Sequence, residues 1–158
     1  MRVEDILKYQ ANHVITVTPD TTLSECVVLM SDRDLGSLVV VEAGRLVGLL
    51  TFREVINVLA KRQREFRSGP TPTFMQITVR QVMTPEPMVT DSTMDVAELR
   101  SLMVSHRQRY LPVVDGDRLR GIISFHDVAK AVHEEQAFEN RMLKEYIRDW
   151  PVEEHAVY

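Results

Sequence analysis

The 158-residue sequence has a single cysteine, Cys26, so it can form no internal disulfide and holds no cysteine-based metal site. Cys26 falls in the apolar pattern Leu23, Cys26, Val27, Met30 and reads as a core residue. Long apolar runs are missing too. Stretches such as Leu38 to Val41 and Leu46 to Leu50 fall far short of the roughly 18 residues that a membrane-spanning helix needs. The opening Met1-Arg2-Val3-Glu4-Asp5-Ile6-Leu7 carries acids where a signal peptide wants positive charge followed by an apolar stretch, so a cytoplasmic location is expected. Basic charge is not in surplus: 19 Lys and Arg against 23 Asp and Glu give a formal charge of -4, which argues against nucleic acid as a partner. The basic stretch Lys61 to Arg67 reads as a solvated face. G-x-S-x-G, Walker A and H-E-x-x-H strings are absent, and no catalytic role is expected. His126 and His133, seven residues apart on one helix, are too distant to share a metal and read as surface histidines. What remains is 44% hydrophobic and 27% charged, enough apolar material for one compact unit or two small ones.

The chain matches itself. Residues Leu38 to Val55 align without gaps on Leu111 to Val128, an offset of 73, and Leu29-Met30 matches Leu102-Met103 at the same offset. Val3-Glu4-Asp5-Ile6-Leu7 matches Val79-Arg80-Gln81-Val82-Met83 at an offset of 76. Two divergent copies therefore fill most of the sequence. Repeat one is read at 1–66, a linker at 67–76, repeat two at 77–134, and a C-terminal helix and tail at 135–158.

Apolar periodicity changes in the same order within each copy. The first element is a short helix near residues 3–8 and 79–83, followed by an extended piece, Val14 to Val17 or Met88 to Thr90. A capped helix comes next, with the apolar face Leu23, Cys26, Val27, Met30 in one copy and Val96, Leu99, Leu102, Met103 in the other. Two strands then form a hairpin around a Gly-containing turn: Ser37 to Glu42 with Arg45 to Leu50, and Tyr110 to Asp115 with Leu119 to Ile123. A closing helix starts near Phe52 and near Phe125. The second of these is expected to run on, with Val132, Phe138, Met142, Tyr146, Ile147 and Trp150 on one face, and to stop before Pro151. The fold class is α/β (α+β), two small sheets packed with helices, and a copy of about 60 residues buries so little surface alone that the two should pack together.

These strings, in this order and twice over, resemble the CBS (cystathionine beta-synthase) domain family. They are Val3-Glu4-Asp5-Ile6-Leu7, Thr16-Val17-Thr18-Pro19-Asp20, Leu35-Gly36-Ser37-Leu38-Val39-Val40-Val41 and Gly48-Leu49-Leu50-Thr51-Phe52-Arg53-Glu54 in the first copy. The second copy supplies Val82-Met83-Thr84, Arg109-Tyr110-Leu111-Pro112-Val113-Val114-Asp115 and Gly121-Ile122-Ile123-Ser124-Phe125-His126-Asp127-Val128. The resemblance implies a stand-alone pair of repeats related by a pseudo-twofold axis, known as a Bateman module, with two clefts that can each hold an adenosine-containing ligand. It also implies a homodimer.

The residues themselves support such clefts. Thr51-x-x-Glu54 and Ser124-x-x-Asp127 each set a hydroxyl and an acid on one face of a helix start, beside unpaired N–H groups that can receive a phosphate, while the acid can accept from a ribose diol. The same spacing is also a capping box, and both roles can coexist. Gly48 and Gly121 would let a planar base approach the backbone. By resemblance, Thr16 and Thr18, and in the second copy Met88, Val89 and Thr90, line the adenine slot, and Arg109 with Tyr110 faces the phosphates. Glu54 stands where the family has Asp, which makes the Ser124 and Asp127 cleft the better-formed one and the two clefts unequal. The expected ligand is AMP, ADP, ATP or NAD, with no cofactor required and an unidentified regulated protein as partner. A ligand-independent dimeric scaffold is the alternative.

Overall fold

The computed structural model describes residues 1–10, 14–65 and 75–149. The linker read at 67–76 falls largely outside them, as do Trp150, Pro151 and the tail.

The first copy begins with helix α1 (Val3–Leu7) and strand β1 (Thr16–Val17). Helix α2 (Leu23–Arg33) follows, then strands β2 (Ser37–Glu42) and β3 (Arg45–Thr51) and helix α3 (Phe52–Glu65). The second copy repeats this order as α4 (Val79–Val82), strand β4 (Thr84–Pro85), α5 (Val96–Ser105), β5 (Tyr110–Asp115), β6 (Arg118–Ser124) and α6 (Phe125–Arg148). Among the described residues no helix is long and apolar enough to cross a membrane.

Local chemistry sets these boundaries. Thr22 caps α2 by accepting from Glu25 N, and the Glu25 side chain answers by accepting from Thr22 N, both at 3.1 Å. Asp95 caps α5 by accepting from Ala97 N. Asp34 and Arg107, 73 residues apart, end α2 and α5 with the same left-handed φ of 52°. Leu35 N and Gln108 N then return to the carbonyls of Met30 and Met103, each at 2.9 Å, which satisfies carbonyls the helix end would otherwise leave open. The β2–β3 hairpin turns on Ala43 and Gly44, both with positive φ, as a two-residue turn of matching twist requires.

In the first sheet β2 lies between β1 (parallel) and β3 (antiparallel), and β4 adds to the outer edge of β3. The second sheet is the β5–β6 pair, with Thr90 bridging in parallel to Val113, where β1 stands in the first copy. The piece expected to be extended at Met88 to Thr90 therefore forms a single bridge and no full strand. Side chains alternate in β2: Leu38 and Val40 face the core under α2, while Val39, also buried, faces the other copy.

The short helices are exchanged between copies. Val3 and Ile6 of α1 are buried in the core of the second copy with Val96, Leu99 and Met103. Val79 of α4 is buried in the core of the first copy with Leu23, Cys26 and Met30. The junctions are built alike. Val79 N and Arg80 N donate to the carbonyls of Thr21 and Pro19 at 2.8 and 2.9 Å, and Leu23 N donates to Ile77 O at 2.8 Å. At the matching positions Val3 N and Glu4 N donate to Met94 O and Ser92 O at 3.0 and 2.9 Å, and Val96 N donates to Met1 O at 2.9 Å. These bonds satisfy N–H groups at the first turns of four helices, so the exchange meets a backbone requirement as well as burying apolar side chains.

α6 is one uninterrupted helix across the 134/135 boundary read from sequence. Val132 packs on the second core, but Phe138, Met142, Leu143, Tyr146 and Ile147 are exposed.

Candidate functional site

The larger opening between the copies is a cavity of about 630 Å³. Thr51, Phe52 and Glu54 line it from the end of β3 and the start of α3, and Thr84, Pro87 and Met88 from the segment after α4. The opposite wall is the second copy's Arg107, Gln108, Arg109 and Tyr110. The cleft is thus crosswise: the first copy's hydroxyl–acid pair faces the basic and aromatic pair of the second.

Glu54 is held in place at three points. Its Oε2 accepts from Thr51 N at 2.8 Å and from Thr51 Oγ1, and its Oε1 accepts from Thr84 Oγ1 at 2.7 Å. Arg53 N in turn donates to Thr51 Oγ1 at 3.2 Å. The longer side chain of Glu54 thus reaches a hydroxyl on the edge strand of the same sheet. Tyr110 is seated by Gly36: a methyl group there would collide with the Tyr110 hydroxyl and lie 3.2 Å from the Phe52 ring. Absence of a side chain at Gly36 is what lets the ring cross between the copies.

The second cleft is divided. Gln10, just after α1, donates from Nε2 to Asp127 Oδ2 at 3.0 Å. A cavity of about 170 Å³ lies on one side of Gln10, lined by Val14, Ile15, Ser37 and Gly121. Another of about 570 Å³ lies on the other, between α1 and α6, lined by Asp5, Tyr9, Asp127, Lys130 and Glu134 among others. Ser124 N also donates to Asp127 Oδ2 at 2.9 Å, and Asp127 N donates to Ser124 Oγ at 3.0 Å, so the capping-box role is realised in full.

The structure brings Thr51, Glu54, Met88, Arg109 and Tyr110 to one cavity, and sets Gly121 and Asp127 on the two sides of Gln10. It departs from the sequence reading at six positions. Thr16 and Thr18 line none of these cavities; the Thr18 hydroxyl pairs with Thr21 Oγ1 at 3.1 Å in the turn before α2, and Val14 and Ile15 line the cleft instead. Val89 is exposed and lines none of them, while Thr90 is buried with its hydroxyl 3.2 Å from Met94 Sδ. Gly48 does not open toward a base, because the Met83 side chain fills the space a side chain there would take. Leu7 stands in the same way over Gly121, 3.1 Å from where a Cβ would be. Both glycines make room for the end of an exchanged helix. The cleft expected to be better formed is the divided one, and the continuous cavity is on the Glu54 side.

Sequence reasoning missed Gln10, Thr84 and Arg107. Thr84 and Gln10 follow the exchanged helices, and only knowledge of the exchange would have directed attention to them. His126 and His133 are exposed, and no cluster of metal-ligating side chains occurs among the described residues.

The family model described as CBS domain matches residues 3–61 and 79–134. The CBS domain-containing protein YhcV of Bacillus subtilis is 34% identical over 116 residues, covering 73% of this chain and 76% of its own. A crystal structure of a CBS-domain containing protein from Agrobacterium tumefaciens is 30% identical, with a TM-score of 0.72 over 83% of this chain and 98% of that one. The structure of CBSX2 in complex with AMP, at 21% identity and a TM-score of 0.67, covers 83% of this chain and 97% of its own and shares the fold. Repeat, fold and family model agree, and the chain belongs to the CBS domain family as a tandem pair of repeats.

Proposed function

We propose that this chain is a non-catalytic regulatory module that binds an adenosine-containing ligand in the cleft between Glu54 and Tyr110 and passes its occupancy to a partner protein. The observation that carries this reading is the continuous cavity of about 630 Å³ at the junction of the copies, where a hydroxyl–acid pair at a helix start faces an aromatic ring and basic side chains. Its volume is that of a small-molecule site, roughly 300–1,000 Å³. The N-terminus of α3 turns a positive dipole end to an anion, and the Tyr110 and Phe52 rings offer flat apolar surface to a base. A ligand touching both copies favours one arrangement of the repeats over another, the thermodynamic requirement for signalling.

A thermal-shift screen with AMP, ADP, ATP, NAD, NADH and S-adenosylmethionine tests it. At a hundred times the dissociation constant a true ligand adds about 2.7 kcal/mol, a shift of several degrees. Tyr110→Ala should abolish that shift. No shift with any of the six at millimolar concentration sinks the reading. The exposed face of α6 at Phe138, Met142, Tyr146 and Ile147 favours a second reading, a cytoplasmic homodimeric scaffold that works without ligand. A dimer in light scattering whose melting temperature ignores every nucleotide would select it.

A further inference from the structure

Arg53, Arg107 and Arg109 line the Glu54 cavity, and none of the three is in an ion pair among the described residues. Glu54, the acid of that lining, already accepts from Thr51 and Thr84. The cavity is therefore cationic. The divided cleft has the opposite balance: Asp5, Asp127, Glu134 and Glu135 face Lys130 alone, and Arg120 is turned to Asp115 at 3.8 Å.

The repeat shows where this difference comes from. Arg107 occupies the position of Asp34, Arg109 that of Gly36 and Arg53 that of His126. The backbone at 34 and 107 has the same φ of 52°, so charge is reversed on one unchanged loop geometry. Guanidiniums present planar forks that match phosphate oxygens, and the α3 N-terminus, on the wall that carries Arg53, adds its own positive end.

We infer that the Glu54 cleft takes a polyphosphate-bearing ligand seated on Arg53, Arg107 and Arg109. On the reading above, on which this rests for the nucleoside, that ligand is an adenosine di- or triphosphate. S-adenosylmethionine, whose sulfonium would place positive charge among three guanidiniums, is excluded from it.

Titration calorimetry with ATP, AMP, adenosine, S-adenosylmethionine and inorganic tripolyphosphate tests the assignment. ATP should bind at least about tenfold tighter than AMP, with AMP tighter than adenosine and the ATP advantage shrinking as salt is raised. Joint Arg107→Gln and Arg109→Gln substitution should weaken ATP about thirtyfold and change adenosine by less than about twofold, and the retained adenosine binding doubles as the check on folding. Arg53→Gln should act in the same direction by a smaller factor. Adenosine binding as tightly as ATP, or S-adenosylmethionine binding more tightly, overturns the charge assignment and leaves the adenosine reading standing. Tripolyphosphate binding that is lost in the arginine variants, with no adenosine compound bound, keeps the charge assignment and removes the nucleoside. No binding by any of the five removes both.

Discussion

Gln10 and Thr84 play matching parts: Gln10 Nε2 donates to Asp127 at 3.0 Å and Thr84 Oγ1 donates to Glu54 at 2.7 Å. In each case the segment after an exchanged helix holds the acid of the copy that the helix has joined. The consequences differ because glutamine is long and threonine short. Gln10 borders both cavities of the second cleft, whereas the cavity beside Thr84 is continuous.

Gln10→Ala should therefore join the two cavities and expose the Asp127 carboxylate. On the proposed function, calorimetry should find one adenosine ligand per chain in the parent and a second in Gln10→Ala. A stoichiometry that stays at one would mean that something other than Gln10 closes the second cleft.

Gly36→Ala sets a methyl group against Tyr110. Overpacking of this kind costs about 1–3 kcal/mol, and the loss should shrink in a Tyr110→Ala background, since the two residues share one contact. Urea midpoints of the four proteins measure the coupling. Additive losses would show that Gly36 acts through its own backbone and not by seating the ring.

Val3→Ala tests the exchange. The side chain is fully buried in the second core, and removing it should cost about 2 kcal/mol. Hydrogen exchange should then quicken in Val96–Ser105 and Tyr110–Asp115 and much less in Leu23–Arg33, although the last is nearer in sequence. The reverse pattern would place α1 on its own copy.

These relations mark what the sequence could and could not convey. The hairpins were legible because the offset of 73 runs through them and a two-residue turn fixes register: Ser37 to Glu42 and Tyr110 to Asp115 were read with the bounds the structure gives. The hydroxyl–acid pairs were legible because a helix start needs a cap. Partner choice was not, because an internal repeat is the same string whether Val3 packs on its own copy or on the other. That one ambiguity hid Gln10 and Thr84 and gave Gly48 and Gly121 to a base when Met83 and Leu7 cover them.

Acid should loosen the second copy at its loops. Asp115 is held below its ordinary value of 3.8 chiefly because its carboxylate accepts from Ser92 N, at 3.0 Å. Asp91 is lowered likewise, chiefly by the Thr93 hydroxyl donating at 2.6 Å and then by Thr93 N at 2.8 Å. A carboxylate lowered in the folded state adds stability above its unfolded pKa and loses it as pH falls through the folded one. The loss therefore falls below pH 3.8. Urea midpoints between pH 6 and pH 2.5 should fall less steeply in Asp115→Asn than in the parent, and equal slopes would remove Asp115 from the account.

Cys26 should resist thiol reagents. It is fully buried, and burial pushes its thiol up to about 11, so at neutral pH almost no thiolate is present to react. Modification by a disulfide reagent should follow the rate of global unfolding and accelerate with urea in step with it. Fast labelling of the native protein would require an opening that leaves the rest of the fold intact.

The exchange of α1 also orders events in time. Val3 and Ile6 meet Leu99, Leu111 and Ile123 in one core, so α1 closes on partners made about a hundred positions later. Contacts of such high sequence separation slow folding, because the loop must close before burial rewards it. During synthesis α1 stays without its binding face until the second copy has emerged, and that copy is completed by a segment made before the first copy's own sheet.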